Sequence, residues 1–306
     1  MPKLTPARPR WQPRVPTWRP RPHETPGRAA LSRTLIPALT LLALAVLTRA
    51  PLYGDPLIHV DETFYNLVGE RMLRGAVPFV DIWDRKPIGL FLIYAGAHLA
   101  LGKSVLAYQI LATLFAAATA FLIARLAQRI ASPQGALLAG VAYLLGLALF
   151  RCSGGQSPVF YNLLMVGAVE LALPLLTRAA PVGLARRGAL VMLVIGLALQ
   201  IKYTVVFEGL GFGLALMAAR WRLDRRSLAT LGCTLLWIAS ALLPTALALG
   251  WYAWAGEAQA FVWANFVSIF GRDTGAALSL DRITDLATDV ALTAPFWGAL
   301  AWLARA

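Results

Sequence analysis

The chain has 306 residues, 58% of them hydrophobic and only 14% charged. Soluble domains of this length carry roughly a quarter charged residues, so the composition excludes an ordinary soluble protein and points to the membrane. A net charge of +13 would suggest nucleic acid in a soluble protein, but the arginines here sit in short segments between apolar runs. That is the positive-inside pattern of cytoplasmic loops, and no nucleic-acid partner is expected.

Residues 1–30 form a separate region, where Lys3, Arg8, Arg10, Arg14, Arg19, Arg21 and Arg28 are interleaved with prolines and with Trp11 and Trp18. Proline on this scale forbids a helix and the charge forbids a core, so a disordered cytoplasmic tail is expected. It is either a solvated extension or a basic arm that touches anionic lipid headgroups. The apolar stretch after it is too long for a cleavable signal peptide.

Residues 31–306 read as one transmembrane domain, whose first span is expected at 30–47. A polar loop, 51–86, carries Asp55, Asp61, Glu62, Glu70, Asp81 and Asp84. The apolar stretch that follows, 87–101, is short against the roughly 20 residues a spanning helix needs. If it crossed, the segments with Arg125/Arg129, Arg178/Arg186/Arg187 and Arg220/Arg222/Arg225/Arg226 would lie opposite the basic tail. It is therefore expected to stay on the outer face, which makes 51–104 one outer loop. Further spans are expected at 105–126, 135–150, 159–176, 188–200, 204–219, 228–254 and 288–303. The fold class predicted is all-α, a polytopic membrane protein with about eight transmembrane helices and interfacial helices in the first outer loop. Cys152 and Cys233 show no metal spacing, and His23, His59 and His98 are scattered.

The chemistry-bearing residues concentrate in the first outer loop. Asp61 is the expected N-cap of a helix running to Arg74 and ended by Gly75. Phe64, Tyr65, Val68 and Met72 form its apolar stripe, and Glu62, Asn66, Glu70 and Arg74 recur every fourth residue on another face, as in a helix lying on a membrane surface. Adjacent carboxylates at such a helix start serve either as a plain cap or as a general base or cation ligand. Arg85 and Lys86 follow on the same loop, and fixed cations are what a phosphate-linked leaving group needs.

The order Asp61-Glu62, Tyr65, Arg74-Gly75, Pro78, Lys86-Pro87 resembles the first outer loop of the polyprenyl-phosphate-sugar glycosyltransferases with the C-type membrane fold. That family includes protein O-mannosyltransferases and transferases that decorate lipid A. The resemblance implies an inverting transfer from a polyprenyl-phosphate-linked sugar to a glycan, lipid or protein acceptor, on the outer face of a bacterial-type plasma membrane. It implies that Asp61 is the catalytic base, Glu62 its neighbour and Lys86 a contact for the donor phosphate. Many members carry a second proline where this chain has Ile88, and most are longer, so a C-terminal truncation is expected. Arg151 falls where members place a short outer motif, often with an acidic residue that is lacking here; it either meets phosphate or anchors a helix end. Lys202, between two apolar runs, would be costly if buried and is a further phosphate candidate. The substrate-binding set expected is thus Tyr65, Arg85, Lys86, Arg151 and Lys202.

No cofactor is expected, because two adjacent carboxylates are thin ligation for a divalent cation. Membrane lipids are the other expected partners. Glu170 and Glu208, inside spans, read as satisfied structural groups. The segment 261–266 reads either as an aromatic belt or as a cover for sugar or lipid. The rival readings are a transporter or flippase of lipid-linked sugars, for which no inverted repeat is visible, and an inactive membrane scaffold.

Overall fold

The computed structural model describes the backbone of residues 28–178, 182–225 and 227–271, side chains from Thr34 onward, and scattered positions between 284 and 298. Among the described residues ten α-helices follow one another: α1 (Arg28–Arg49), α2 (Val60–Met72), α3 (Ile88–Leu101), α4 (Val105–Ala127), α5 (Pro133–Leu149), α6 (Ser157–Thr177), α7 (Leu184–Leu199), α8 (Val205–Leu223), α9 (Ser227–Trp254) and α10 (Ala258–Val262). Among the described residues there is no strand. Among the described residues four stretches are long and apolar enough to cross a membrane: Thr34–Leu52, Val105–Ala127, Ser157–Thr177 and Ser227–Trp254. The helices α5 and α7 are shorter, and α8 carries Glu208, Arg220 and Arg222. The tail before residue 28 and most of the expected span at 288–303 lie outside the described residues.

Small residues let the helices approach closely. Ala112, Ala116, Ala120 and Ala124 repeat every fourth position on α4 and are all buried. Where α5 crosses this stripe, a Cβ on Gly140 would lie 2.8 Å from the carbonyl of Ala120. In a membrane such small-residue seams replace the hydrophobic effect as the source of association, because lipid tails are as apolar as leucine. A second seam joins α7 to α9. There Gly188 faces the indole of Trp237, whose N–H donates to the carbonyl of Ala185 at 2.9 Å. Leu35, Ile36, Leu39, Leu242 and Leu247 stand exposed around the bundle, the surface expected of helices bathed in lipid.

Successive helices from α4 onward alternate in direction, so residues far apart in sequence gather at two ends. One end holds α2, α3, the last turn of α1 and the start of α6, since Arg49 reaches Gly154 there. The other holds Arg125 and Arg129, both paired with Glu170, together with Arg186, Arg187, Arg220 and Arg222 at the corresponding helix ends. The α3 helix has 14 residues, about 21 Å of rise, too short to cross the ~30 Å hydrocarbon core by itself. It packs along α2, where Gly69 gives no room for a Cβ beside Tyr94.

Candidate functional site

The loop after α1 is pinned to α4 before it reaches the site. The Tyr53 hydroxyl and that of Thr113 are 2.8 Å apart, and Gln109 holds the 52–55 turn by accepting from the amide of Gly54 and donating to the carbonyl of Asp55. His59 is then fully extended, and its Nδ1 accepts from the amide of Asp61 at 3.3 Å. His59, not Asp61, is therefore the N-cap of α2. This corrects the expected cap and leaves the Asp61 carboxylate in the first turn, free for other partners. The helix ends at Met72, and Gly75 at φ 95° closes it, with its amide donating to the carbonyl of Met72.

Asp61 is half-exposed and is approached from two sides. The Tyr65 hydroxyl donates to Asp61 Oδ2 at 3.2 Å, and Lys86 Nζ lies 3.8 Å from the same oxygen. The lysine also stands 5.6 Å from the centre of the Tyr65 ring. Tyr65 itself is 1% exposed, wedged against Phe91 and Tyr94, so its position fixes both charged partners. Burial, reinforced by Asp61, pushes its phenol far up, so it remains a hydrogen-bond donor. An ion pair this exposed adds at most about 1 kcal/mol to the fold, so stability alone does not account for it. Asp84 completes the group. Burial pushes its carboxyl up, while Lys86 and the neighbouring amides partly offset the shift and Asp61 adds to it. Arg85 turns away, its guanidinium 5.6 Å above the ring of exposed Trp83.

Glu62 behaves differently from its neighbour. It was expected on the polar outer face of α2, but it lies on the inner face with Tyr65 and Gly69 and is 0% exposed. The physical reason is the Gly154-Gly155 turn ahead of α6. A Cβ on Gly154 would overlap the Glu62 carboxylate, and one on Gly155 would lie 2.5 Å from the Tyr94 hydroxyl. Burial pushes the Glu62 carboxyl up, and the nearby Gly155 amide, Gln156 side chain, His59 and Arg49 offset only part of this. Neither Glu62 oxygen reaches hydrogen-bond geometry with a described residue.

On the other side of the same turn lies Arg49. Its Nη1 donates to the carbonyl of Cys152 at 3.1 Å, its second Nη donates to the carbonyl of Gly154, and Nε reaches the Thr113 hydroxyl at 3.3 Å. The turn is thus clamped between a buried guanidinium and a buried carboxyl. Lys202 reaches this end from the link between α7 and α8 and stands 6.0 Å from the centre of the Tyr161 ring. Burial pushes the Cys152 thiol up, with Lys202 and Arg49 pulling the other way. The structure therefore joins Asp61, Tyr65 and Lys86 directly, and brings the segment that carries Lys202 beside the start of α3, where the amide of Leu90 donates to the carbonyl of Gln200 at 3.1 Å. Arg151 takes φ 56° at the exposed end of α5, a left-handed position costly for a non-glycine residue.

Other expected residues fall into structural roles. Glu170 pairs with Arg129 at 2.6 Å and with Arg125 at 3.4 Å. Glu208, expected as a satisfied group inside a span, is instead exposed in the first turn of α8, where a carboxylate suits the helix dipole. Phe261 is buried against Phe79 and Tyr252, while Asn265 of the same segment accepts from the Tyr203 hydroxyl. The segment thus braces the first loop from below. Buried His98 lies between the carbonyls of Asn66 and Gly102. Among the described residues no group of three or more His, Cys, Asp or Glu side chains could hold a metal.

Arg49 and Asp84 escaped the reading of the sequence. The first looks like an ordinary basic end of a span. The second could have been noticed from its place in Asp81-Ile82-Trp83-Asp84-Arg85-Lys86. The chain matches no family model, no curated protein and no solved structure.

Proposed function

We propose that the protein is a membrane glycosyltransferase, using a polyprenyl-phosphate-linked sugar and acting at the end of the bundle that carries the first loop. The observation that carries this reading is the half-exposed Asp61 carboxylate held 3.8 Å from Lys86 by a buried tyrosine. Transfer with inversion needs one base to take the acceptor's proton and one cation to meet the departing phosphate, both beside a single sugar. Asp61 supplies the first and Lys86 the second. When a donor phosphate draws Lys86 toward it, Asp61 loses its ion-pair partner and is left to receive the acceptor's proton. Tyr65 holds the carboxylate in place throughout.

Glu62 is here a positioning residue, because its buried carboxyl cannot meet a substrate. Lys202 and Arg151 extend the cationic surface around the turn at 151–156. In this proposal the bundle follows the C-type glycosyltransferase arrangement with about eight spans. The arginine-rich end faces the cytoplasm, and the Asp61 end faces outward from a bacterial-type plasma membrane. The test is a transfer assay with the purified full chain and a panel of polyprenyl-phosphate sugars. Sugar release or transfer from a member of the panel supports the reading, and none from any member contradicts it.

A further inference from the structure

At the arginine-rich end, α7 and α9 leave a lateral cavity of about 710 Å³ between them. Its α7 wall is built from Arg186, Arg187, Leu190 and Leu193, and its α9 wall includes Ser240 and Leu243. The spacing explains the arrangement. Arg186 and Leu190, four apart, and Leu190 and Leu193, three apart, fall on one helix face. Both arginines sit in the first turn of α7, so the cavity is cationic toward that end and aliphatic toward the middle of the bundle. Leu190 and Leu243 are each 46% exposed on this flank, the surface that a bilayer would cover.

The arginines at this end differ in their partners, and Arg222, like Arg186 and Arg187, is in no ion pair among the described residues. Arg125, Arg129 and Arg220 each pair with a carboxylate. Among the described residues Arg186 and Arg187 form no ion pair, and no acid lines the cavity. Both arginines are exposed, at the edge of the leucine-lined half of the cavity, and planar guanidinium forks match phosphate oxygens. An anion held by both would come from outside the chain and would lie against the aliphatic wall.

We infer that this cavity binds an anionic glycerophospholipid, its phosphate between Arg186 and Arg187 and an acyl chain along Leu190, Leu193 and Leu243. A free phosphate would leave the leucine wall uncovered. A zwitterionic lipid brings its own cation, which competes with the arginines for the phosphate. The site is independent of the Asp61 chemistry and lies at the opposite end of the bundle.

Native mass spectrometry of the full chain in detergent, with phosphatidylglycerol or phosphatidylcholine of identical acyl chains, tests the inference. Phosphatidylglycerol should be retained on the order of tenfold more strongly, each arginine near an anionic lipid being worth roughly fivefold. An R186Q/R187Q double variant should lose that preference, and Leu193→Trp, which fills the aliphatic half, should weaken retention with both arginines present. Arg222→Gln, at the same end but outside the cavity, should change nothing. Intrinsic tryptophan fluorescence on heating confirms that each variant is folded. Equal retention of the two lipids, or a preference that survives R186Q/R187Q, overturns the inference. So does displacement of phosphatidylglycerol by inorganic phosphate, or full retention in Leu193→Trp.

Discussion

Replacing Arg49 with methionine keeps the length and apolar stem of the side chain and removes its five donors. In the native structure three of the bonds made by those donors hold groups from α4 and the 152–154 turn. Thr113 keeps partners in Tyr53 and the carbonyl of Gln109. The carbonyls of Cys152 and Gly154 lose theirs. A stranded buried carbonyl at Gly154 and a part-buried one at Cys152 cost about 1–3 kcal/mol each, and Glu62 loses a cation on the far side of the turn. The total is about 3–5 kcal/mol, the usual cost of removing one member of a buried ionic group. Arg49→Lys restores charge but not the fork that reaches both carbonyls, and should recover only part of the loss. At roughly 2–4 °C per kcal/mol for a chain of this size or a little smaller, Arg49→Met should lower the melting temperature in detergent by about 6–20 °C. The assay is tryptophan fluorescence on heating. Melting within about 2 °C of the parent for both variants would refute the clamp.

Three further outcomes follow from the same geometry. Glu62 has a carboxyl pushed up by burial, so the folded state holds its proton more tightly than the unfolded state. Stability from this group is complete below about pH 4.5 and is lost as pH rises through the folded-state value. Glu62→Gln should therefore remove that pH-dependent loss of stability, seen as a flatter melting-temperature profile from pH 4.5 to 7; an unchanged profile contradicts it. Gly154→Ala places a Cβ on the Glu62 carboxyl, and it should destabilise by at least 1–3 kcal/mol, whereas Gly146→Ala, with open space around it, should not. For orientation, single cysteines introduced at 125–134 or 182–187 should resist membrane-impermeant labelling from outside, and cysteines in 73–85 should react. Outside labelling at 125–134 would overturn the non-crossing α3.

The helices were readable because apolar run length and charge are one-dimensional signals. Seven of the eight expected stretches correspond to helices α1 and α4 to α9, with ends within a few residues, and the eighth, at 288–303, lies largely outside the described residues. The Asp61–Lys86 pairing was readable as a local motif, since both residues sit on one loop. What the sequence concealed depends on contacts across a hundred residues. Glu62 shares a four-residue period with Asn66, Glu70 and Arg74, which reads as a solvated face. Its burial follows from a glycine pair at 154–155 that the period cannot reveal. Arg49 resembles any basic residue ending a span until its acceptors, 103 and 105 positions later, are seen. His59 displaced Asp61 as the cap because the helix begins one residue earlier, at Val60, and the His59 ring nitrogen accepts from the amide of Asp61 at its second position.

The central claim is that Asp61 is the base and Lys86 the phosphate contact of one transfer site. Comparing Asp61→Asn and Lys86→Ala in a transfer assay, with donor binding measured on the same preparations, tests it most directly. Asp61→Asn keeps the hydrogen bond from Tyr65 and removes the base, so turnover should fall about 10²–10⁴-fold with donor binding nearly unchanged. Lys86→Ala should weaken donor binding and turnover together, by about a few kcal/mol in the transition state. Full transferase activity in Asp61→Asn, with melting unchanged, would contradict the assignment of the base.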